Sequence, residues 1–246
     1  MMRKAGNIFS TLLIIVLVGI LAWSGYNAFH ETDKYREGNK TYKNIAKEAT
    51  KEDGNLNWKK LKKINPDVAA WIRMPQKDGF LNYPVVHCSS NEKYLHTLFN
   101  GAYGACGTLF IDKHNKPGFS DFNTIIYGHH MGRWFYEGPM FGKLERYRKQ
   151  SYYNKHSWMW IFTPKQTYKM EIVASYTTPG ISNKMAYRIR FGSSDKAEKW
   201  LSYTNKKSLI RSKYDYSALD HFVTLSTCAY DYSNERFVVV GKIVKY

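Results

Sequence analysis

From Val68 onward the chain is written in short runs of β-branched and aromatic residues, and this pattern limits the fold more than any other. The runs are Ala69 to Arg73, Tyr83 to Cys88, Gly107 to Asp112, Thr124 to His129, Ser157 to Phe162, Tyr168 to Thr177, His221 to Cys228 and Phe237 to Lys245. Each has strand length and is rich in residues that suit a pleated surface. Turn signals separate them: Lys77-Asp78-Gly79, Pro117-Gly118 and Thr163-Pro164-Lys165. Eight short strands with few long helices predict a mainly β fold, a closed or nearly closed barrel that hides its sheet edges. The helices expected around it are short. Asn57 caps Trp58 to Ile64, which Pro66 stops, and Asn91 to Phe99 and Met140 to Gln150 read as two more. Ser193-Ser194-Asp195 offers caps for another, with Ala197, Trp200, Leu201 and Thr204 on one face.

The N-terminus constrains placement. After Met1-Met2-Arg3-Lys4 the chain carries no charge from Ala5 to Phe29, and its apolar centre is Ile8 to Trp23. About 20 apolar residues in a helix span a bilayer core. Arg3 and Lys4 would hold the N-terminus in the cytoplasm, with Trp23 and Tyr26 at the far interface. A cleaved signal peptide shares the basic start and apolar core, but no good small-x-small cleavage site follows. An uncleaved signal anchor over residues 1–29 is the expectation, with the rest of the chain outside the cell. Residues 30–55 follow, rich in Lys, Glu, Thr and Asn, with Tyr35, Tyr42, Ile45 and Ala49 near helical spacing. They read as a helical stalk that packs weakly on the domain formed by residues 56–246.

Lys and Arg number 37 against 20 Asp and Glu, a formal net charge of +17. Such a balance suits a polyanionic neighbour. Export argues against nucleic acid and for an anionic cell envelope. A cluster such as Lys59-Lys60 with Lys62-Lys63 is by itself an ordinary solvated surface. There are three cysteines, Cys88, Cys106 and Cys228, so at least one stays unpaired within the chain. Cys88 and Cys106 read either as a disulfide or as two small buried residues.

Thr224-Leu225-Ser226-Thr227-Cys228 puts a thiol at the end of one strand-like run, and Arg236 opens the next after seven intervening residues. Adjacent strands would bring the two together. A cation favours the thiolate, and a guanidinium can hydrogen-bond a developing oxyanion. Thr124-Ile125-Ile126-Tyr127-Gly128-His129-His130 ends a third run with imidazoles. Nucleophile, acid/base and oxyanion donor at three strand ends make a candidate catalytic set. The plain alternatives are a buried structural Cys and a surface Arg. A metal site built on the His pair and Cys228 lacks the spacing of known ligand motifs, and no metal or organic cofactor is expected.

Leu225-Ser226-Thr227-Cys228 with Arg236, together with Tyr127-Gly128-His129, resembles the active site of sortases, the cysteine transpeptidases of Gram-positive cell walls. The class B branch is indicated by four more segments: Ile64-Asn65-Pro66-Asp67-Val68 with Trp71-Ile72, Tyr83-Pro84-Val85-Val86, Asn91-Glu92-Lys93-Tyr94-Leu95, and Gly107-Thr108-Leu109-Phe110-Ile111-Asp112. A helix-bearing connection between the Tyr168–Thr177 and Cys228 runs also marks that branch. The resemblance covers roughly residues 55 to 246. It implies an eight-stranded sortase-type β-barrel with peripheral helices. It implies Cys228 as nucleophile, His129 rather than His130 as acid/base, and Arg236 as oxyanion donor. Asn91, Tyr127 and Ser226, with Tyr176, Thr177, Ile181 and Ser182 around the long connection, are implied to line or support the substrate groove. The implied reaction cleaves a C-terminal sorting pentapeptide of a surface protein after Thr. It then joins the acyl product to an amine of peptidoglycan or its lipid-linked precursor at the membrane. The rival reading is a non-catalytic, basic wall-binding module on a membrane stalk.

Overall fold

The computed structural model describes residues 2–246 except 134–135, 181–182 and 229–234, and gives the backbone alone for 2–10, 28–37, 132–133, 136–137 and 228. In chain order the elements are α1 (Met2–Ala49), α2 (Trp58–Ile64), β1 (Val68–Arg73), β2 (Asn82–Val86), β3 (Leu109–Ile111), β4 (Asn123–Arg133), β5 (Tyr136–Met140), α3 (Gln150–Lys155), β6 (Trp158–Phe162), β7 (Thr167–Pro179), α4 (Ser194–Lys207), β8 (His221–Cys228) and β9 (Glu235–Lys245), with a 3₁₀ turn at Leu144–Arg148.

The strands form one sheet in the order β3-β2-β1-β6-β7-β9-β8-β4-β5, and β3 also pairs with β4. That extra pairing closes eight strands into a barrel, as the sequence pattern predicts. The ninth strand, β5, hangs off β4 as a hairpin outside the ring. The sequence pattern ends β4 at His129 and begins a helix at Met140. Instead β4 runs on to Arg133 and pairs back on Tyr136–Met140. Gly138 and Pro139 hide this strand in the sequence, because both are depleted in strands and Pro is tolerated mainly at edges. Within the anticipated helix only the 3₁₀ turn Leu144–Arg148 forms, and α3 begins at its last residue, Gln150.

Asn91–Phe99 is likewise not a helix. Its carbonyls are taken by distant donors: Tyr94 O by Thr108 N, Thr97 O by Thr108 Oγ1, and Leu95 O by the His129 ring. A helix would need those acceptors for itself. The two helices with cap signals do form, although at α4 Ser193 makes no side-chain cap hydrogen bond. Asn57 accepts from Lys60 N at 3.0 Å, and α4 buries Ala197, Trp200, Leu201 and Thr204.

Two apolar clusters result. One fills the barrel around Trp71, Ile126, Leu225 and Val239. The other lies under α4, where Trp200 meets Val173, Ala174, Phe222 and Val238. The stalk, expected to pack weakly, in fact closes the first cluster: Tyr42, Ile45 and Ala49 are all buried in it. Gly38 permits this approach, since a Cβ there would collide with the buried Cys106 Sγ. Tyr42 Oη donates to Gly107 O at 2.6 Å, lies 2.9 Å from Thr108 Oγ1, and accepts from Phe99 N at 3.2 Å. Cys88 and Cys106 carry free thiols.

Among the described residues no helix is long and apolar enough to cross a membrane. The run anticipated as an anchor, Ile8 to Trp23, begins among residues whose side chains lie outside the description. Within α1, Leu12 to Leu21 present large apolar side chains to the surroundings on every side of the helix.

Tyr42→Phe tests the docking of α1. It keeps the ring but orphans the buried Phe99 N–H, so unfolding stability in urea should fall by about 1–3 kcal/mol. Unchanged stability would detach α1 from the core.

Candidate active site

The site is built where β4 and β8 run side by side. They pair in parallel from Asn123↔Phe222 through Tyr127↔Ser226 and Gly128↔Thr227 to His129↔Cys228. In adjacent parallel strands, residues at the same level present their side chains on the same face. The β8–β9 ladder is antiparallel and ends at Ser226↔Val238. Carrying its register two residues further sets Arg236 across from Cys228. Phe237 N donates to Thr227 Oγ1 at 2.9 Å, which pins the start of β9 to the end of β8. The backbone therefore gathers positions 129, 228 and 236 at one end of the barrel. The Cys228 side chain, Ile181 and Ser182 lie outside the described residues.

His129 is 4% exposed. Its Nε2 lies 2.6 Å from Leu95 O. A carbonyl only accepts, so Nε2 carries the proton of the neutral ring and Nδ1 is its basic nitrogen. The ring stacks on His96 at 5.8 Å between centroids. Burial holds the His129 pKa below the ordinary imidazole value. The Leu95 carbonyl works against that shift, and the neighbouring His96 adds to it. Gly128 makes room here, since a Cβ would collide with Leu109 Cδ2 and stand 2.7 Å from Phe141 Cδ2. Phe141 can thus lie across the strand just ahead of His129, and its N–H donates to His129 O at 3.0 Å. His130, less buried, starts the β4–β5 hairpin opposite Met140.

Arg236 donates from Nη1 to Thr227 O at 3.4 Å. Its Nε is buried and has no partner among the described residues. A buried guanidinium donor left unpaired is costly in an empty site and useful in a filled one.

The remaining anticipated residues divide. Asn91 Nδ2 and Tyr127 Oη both donate to Asp112 Oδ2, at 3.0 and 3.2 Å. Ser226 is fully buried, and its hydroxyl lies 3.1 Å from Tyr187 Oη. Asn91 and Tyr127 thus meet at Asp112, and Ser226 meets Tyr187. Thr177, opposite Phe237, sits on β7 close to Arg236, which is paired with Thr178. Tyr176, expected to line the groove, does not: it is 1% exposed and its ring is wedged against Tyr203 of α4. Its place on β7 turns it toward α4 rather than toward the strand ends. Asp112 and Tyr187 were not anticipated. Asp112 also accepts from His114 N at 2.8 Å, making it the hub of this network. Nothing in Phe110-Ile111-Asp112 signals that role, because it depends on partners from β4 and the Ser90–Leu95 segment. Among the described residues no group of three His, Cys, Asp or Glu side chains is placed to hold a metal ion.

A barrel of this topology, with Cys, His and Arg at neighbouring strand ends, defines a class of thiol enzymes. The family model described as "Sortase domain" matches residues 72–244, and the chain belongs to the sortase family, the cysteine transpeptidases. Its relatives place it in the class B branch. Sortase B of Staphylococcus aureus is 31% identical over 245 residues, covering 96% of this chain and 97% of the relative. Sortase B of Listeria monocytogenes is 29% identical over 243 residues, covering 94% and 95%. Among solved structures, the S. aureus sortase B–substrate complex has a TM-score of 0.74 at 30% identity, covering 85% of this chain and 97% of that one. Sortase B from Bacillus anthracis in complex with AAEK1 has a TM-score of 0.76 at 28% identity, covering 87% and 100%.

Burial of a neutral ring makes the His129 environment testable. Its imidazole signals in an NMR titration should move with a midpoint below about 6.5. Because the folded value is the lower one, the unfolded chain binds this proton first on acidification. Stability linked to His129 is therefore whole above about pH 6.5 and declines as pH falls toward the folded midpoint. A midpoint above the ordinary value would contradict the burial described.

Proposed function

We propose that this chain is a membrane-anchored, extracellular transpeptidase that cleaves a C-terminal sorting signal after Thr and transfers the acyl product to a cell-wall amine. The observation that carries this reading is the level pairing of His129 with Cys228, with the unpaired donor of Arg236 beside them.

In this reading Cys228 Sγ attacks the carbonyl carbon of the Thr in the signal. The carbonyl oxygen takes up negative charge, and the Arg236 guanidinium donates to it. The C–N bond breaks as protonated His129 gives its proton to the leaving amine, and a thioacyl-enzyme remains. An incoming amine attacks that thioester and loses its proton to His129. The C–S bond then breaks and the thiol is restored. Water in place of the amine gives slow hydrolysis. The depressed His129 pKa favours the neutral ring, so the imidazolium that gives up the proton is a minor species at neutral pH. The enzyme makes up for this by orientation, since both groups are fixed by strand pairing rather than by loops.

By family resemblance the signal is of the Asn-Pro-Gln-Thr-Asn kind or a Ser/Pro-Pro-x-Thr-Gly variant. Solved relatives support a peptide and an amine as the two partners: one is a sortase B–substrate complex and another is sortase B complexed with triglycine. The acceptor would be an amine of peptidoglycan or of its lipid-linked precursor. The anchor proposal rests on the uncharged run from Ala5 to Phe29 and on the exposed apolar surface of α1. In this division residues 1–29 are the anchor, 30–55 the stalk and 56–246 the catalytic barrel. By family resemblance Thr177, Ile181 and Ser182, with Asn91, Tyr127 and Ser226, are the candidates to line or support the groove.

Steady-state cleavage of a sorting peptide tests the roles. Cys228→Ala and His129→Ala should abolish turnover, while His130→Ala should retain most of it. Arg236→Lys should lower kcat by about 10²–10³. Substantial turnover by Cys228→Ala, or exchange of the two His results, would overturn the assignment. Thiol labelling separates this reading from a silent wall-binding module. Cys106 is buried, with its thiol pushed up to about 11. A methanethiosulfonate should therefore mark Cys228 well ahead of Cys106 and Cys88, and equal, sluggish labelling of all three would favour the module.

A further inference from the structure

A cavity of about 720 Å³ opens between α1 and the end of the β1–β2 ladder and shares no residue with the site above. Its walls carry Lys43 and Lys47 from α1 and Arg73 from the end of β1, with the amides of Asn39 and Asn82 between them. None of the three cations has a carboxylate partner among the described residues. Nearby acids are engaged elsewhere: Glu48 with Lys60, Asp78 with His156. Arg73 is the anomaly. It is half-buried over the Phe162 ring at 4.6 Å, and burial alone depresses its basicity. A partly desolvated guanidinium with no counter-charge costs stability unless an anion fills the space.

We propose that this cavity binds a phosphodiester polyanion of the cell envelope. Three features select phosphate. The Arg73 fork matches its oxygens, Lys43 and Lys47 add point charges, and the amides offer neutral donors. Lys43 and Lys47 are one helical turn apart, about 5–6 Å, so they can take successive phosphates of a flexible chain. The helix itself argues for a polymer over lipid headgroups. Lys43 follows Tyr26 by seventeen residues of unbroken helix, a rise of about 25 Å. If Tyr26 marks the membrane interface, that is several Debye lengths at physiological salt, and the surface charge of the bilayer is screened at that height. The preference for polymer thus rests on the anchor reading, while the anion site does not. Holding α1 against the barrel while bound to the polymer would tether the enzyme within the wall it modifies.

The test uses the full chain in neutral detergent and measures binding of a defined poly(glycerol phosphate) oligomer by calorimetry at two salt concentrations. The variant Lys43→Gln/Lys47→Gln/Arg73→Gln should weaken binding at least tenfold. A control on α4, Lys206→Gln/Lys207→Gln, should bind like the parent. Lys43→Gln/Lys47→Gln alone, which touches only exposed positions, should give an intermediate loss and guards against misfolding of the Arg73 variant. All variants should cleave the sorting peptide at the parent rate, so failure of the catalytic reading would show in the parent and failure of this one only in the binding assay. Equal losses in the α4 control would reduce the effect to net charge and overturn the site. Inorganic phosphate binding as tightly as the oligomer would overturn the polymer. Loss of binding to phosphatidylglycerol vesicles without loss of oligomer binding would reassign the cavity to lipid.

Discussion

The parallel ladder between β4 and β8 is the constraint on which the rest depends. It brings a residue from position 129 beside one from position 228, a separation that no turn or local motif can bridge. The ladder's register is fixed by packing on both faces, because a slip of one residue would move Ile126 and Leu225 to the sheet's other face and put Thr224 and Ser226 in their places. The barrel that β3 and β4 close is therefore what holds the chemistry in place. The antiparallel β8–β9 ladder adds the guanidinium by the same logic, and Thr227 ties the two strands together by accepting from Phe237 N. The gathering of positions 129, 228 and 236 is largely a consequence of packing hydrophobic strands.

Much of this was legible in the sequence. The eight barrel strands announced themselves as β-branched runs, and α4 by the helical spacing of Ala197, Trp200, Leu201 and Thr204, while its anticipated cap makes no side-chain hydrogen bond. Arg236 beside the end of β8 followed from two adjacent strands joined by a short connection. What could not be read were features set by partners far away in the chain. Asn91–Phe99 has helical composition, yet its carbonyls are claimed by Thr108 and His129. β5 contains Gly138 and Pro139, and exists because β4 offers it an edge. Tyr42 looked like one of a few tyrosines on a polar stalk, and its hydroxyl turns out to satisfy a buried turn. The position of Tyr176 under α4 depends on which face of a thirteen-residue strand meets which layer, and a run buried on both faces gives no alternation from which to tell.

The site divides labour between buried and unpaired groups. Asp112 gathers Asn91, Tyr127 and His114 into a network with few degrees of freedom, while Tyr187 steadies Ser226. Burial keeps His129 neutral, the Leu95 carbonyl and the His96 ring orient it, and Arg236 Nε has no partner among the described residues. The cationic cavity beside α1 leaves three positive charges without carboxylate partners among the described residues. Both places follow one rule: a polar group buried or crowded without its complement marks where a second molecule belongs.

Cross-linking across the ladder measures the central claim most directly. In a chain carrying Cys88→Ala and Cys106→Ala, the substitution His129→Cys places a second thiol level with Cys228, within the Cα separation a disulfide requires. Mild oxidation of the native protein should then yield an intramolecular 129–228 disulfide, seen by mass spectrometry as the loss of a pair of hydrogens and mapped by proteolysis. The matching His130→Cys chain should remain reduced. Failure of the 129–228 bond to form, or its equal formation from position 130, would contradict the register on which the account stands.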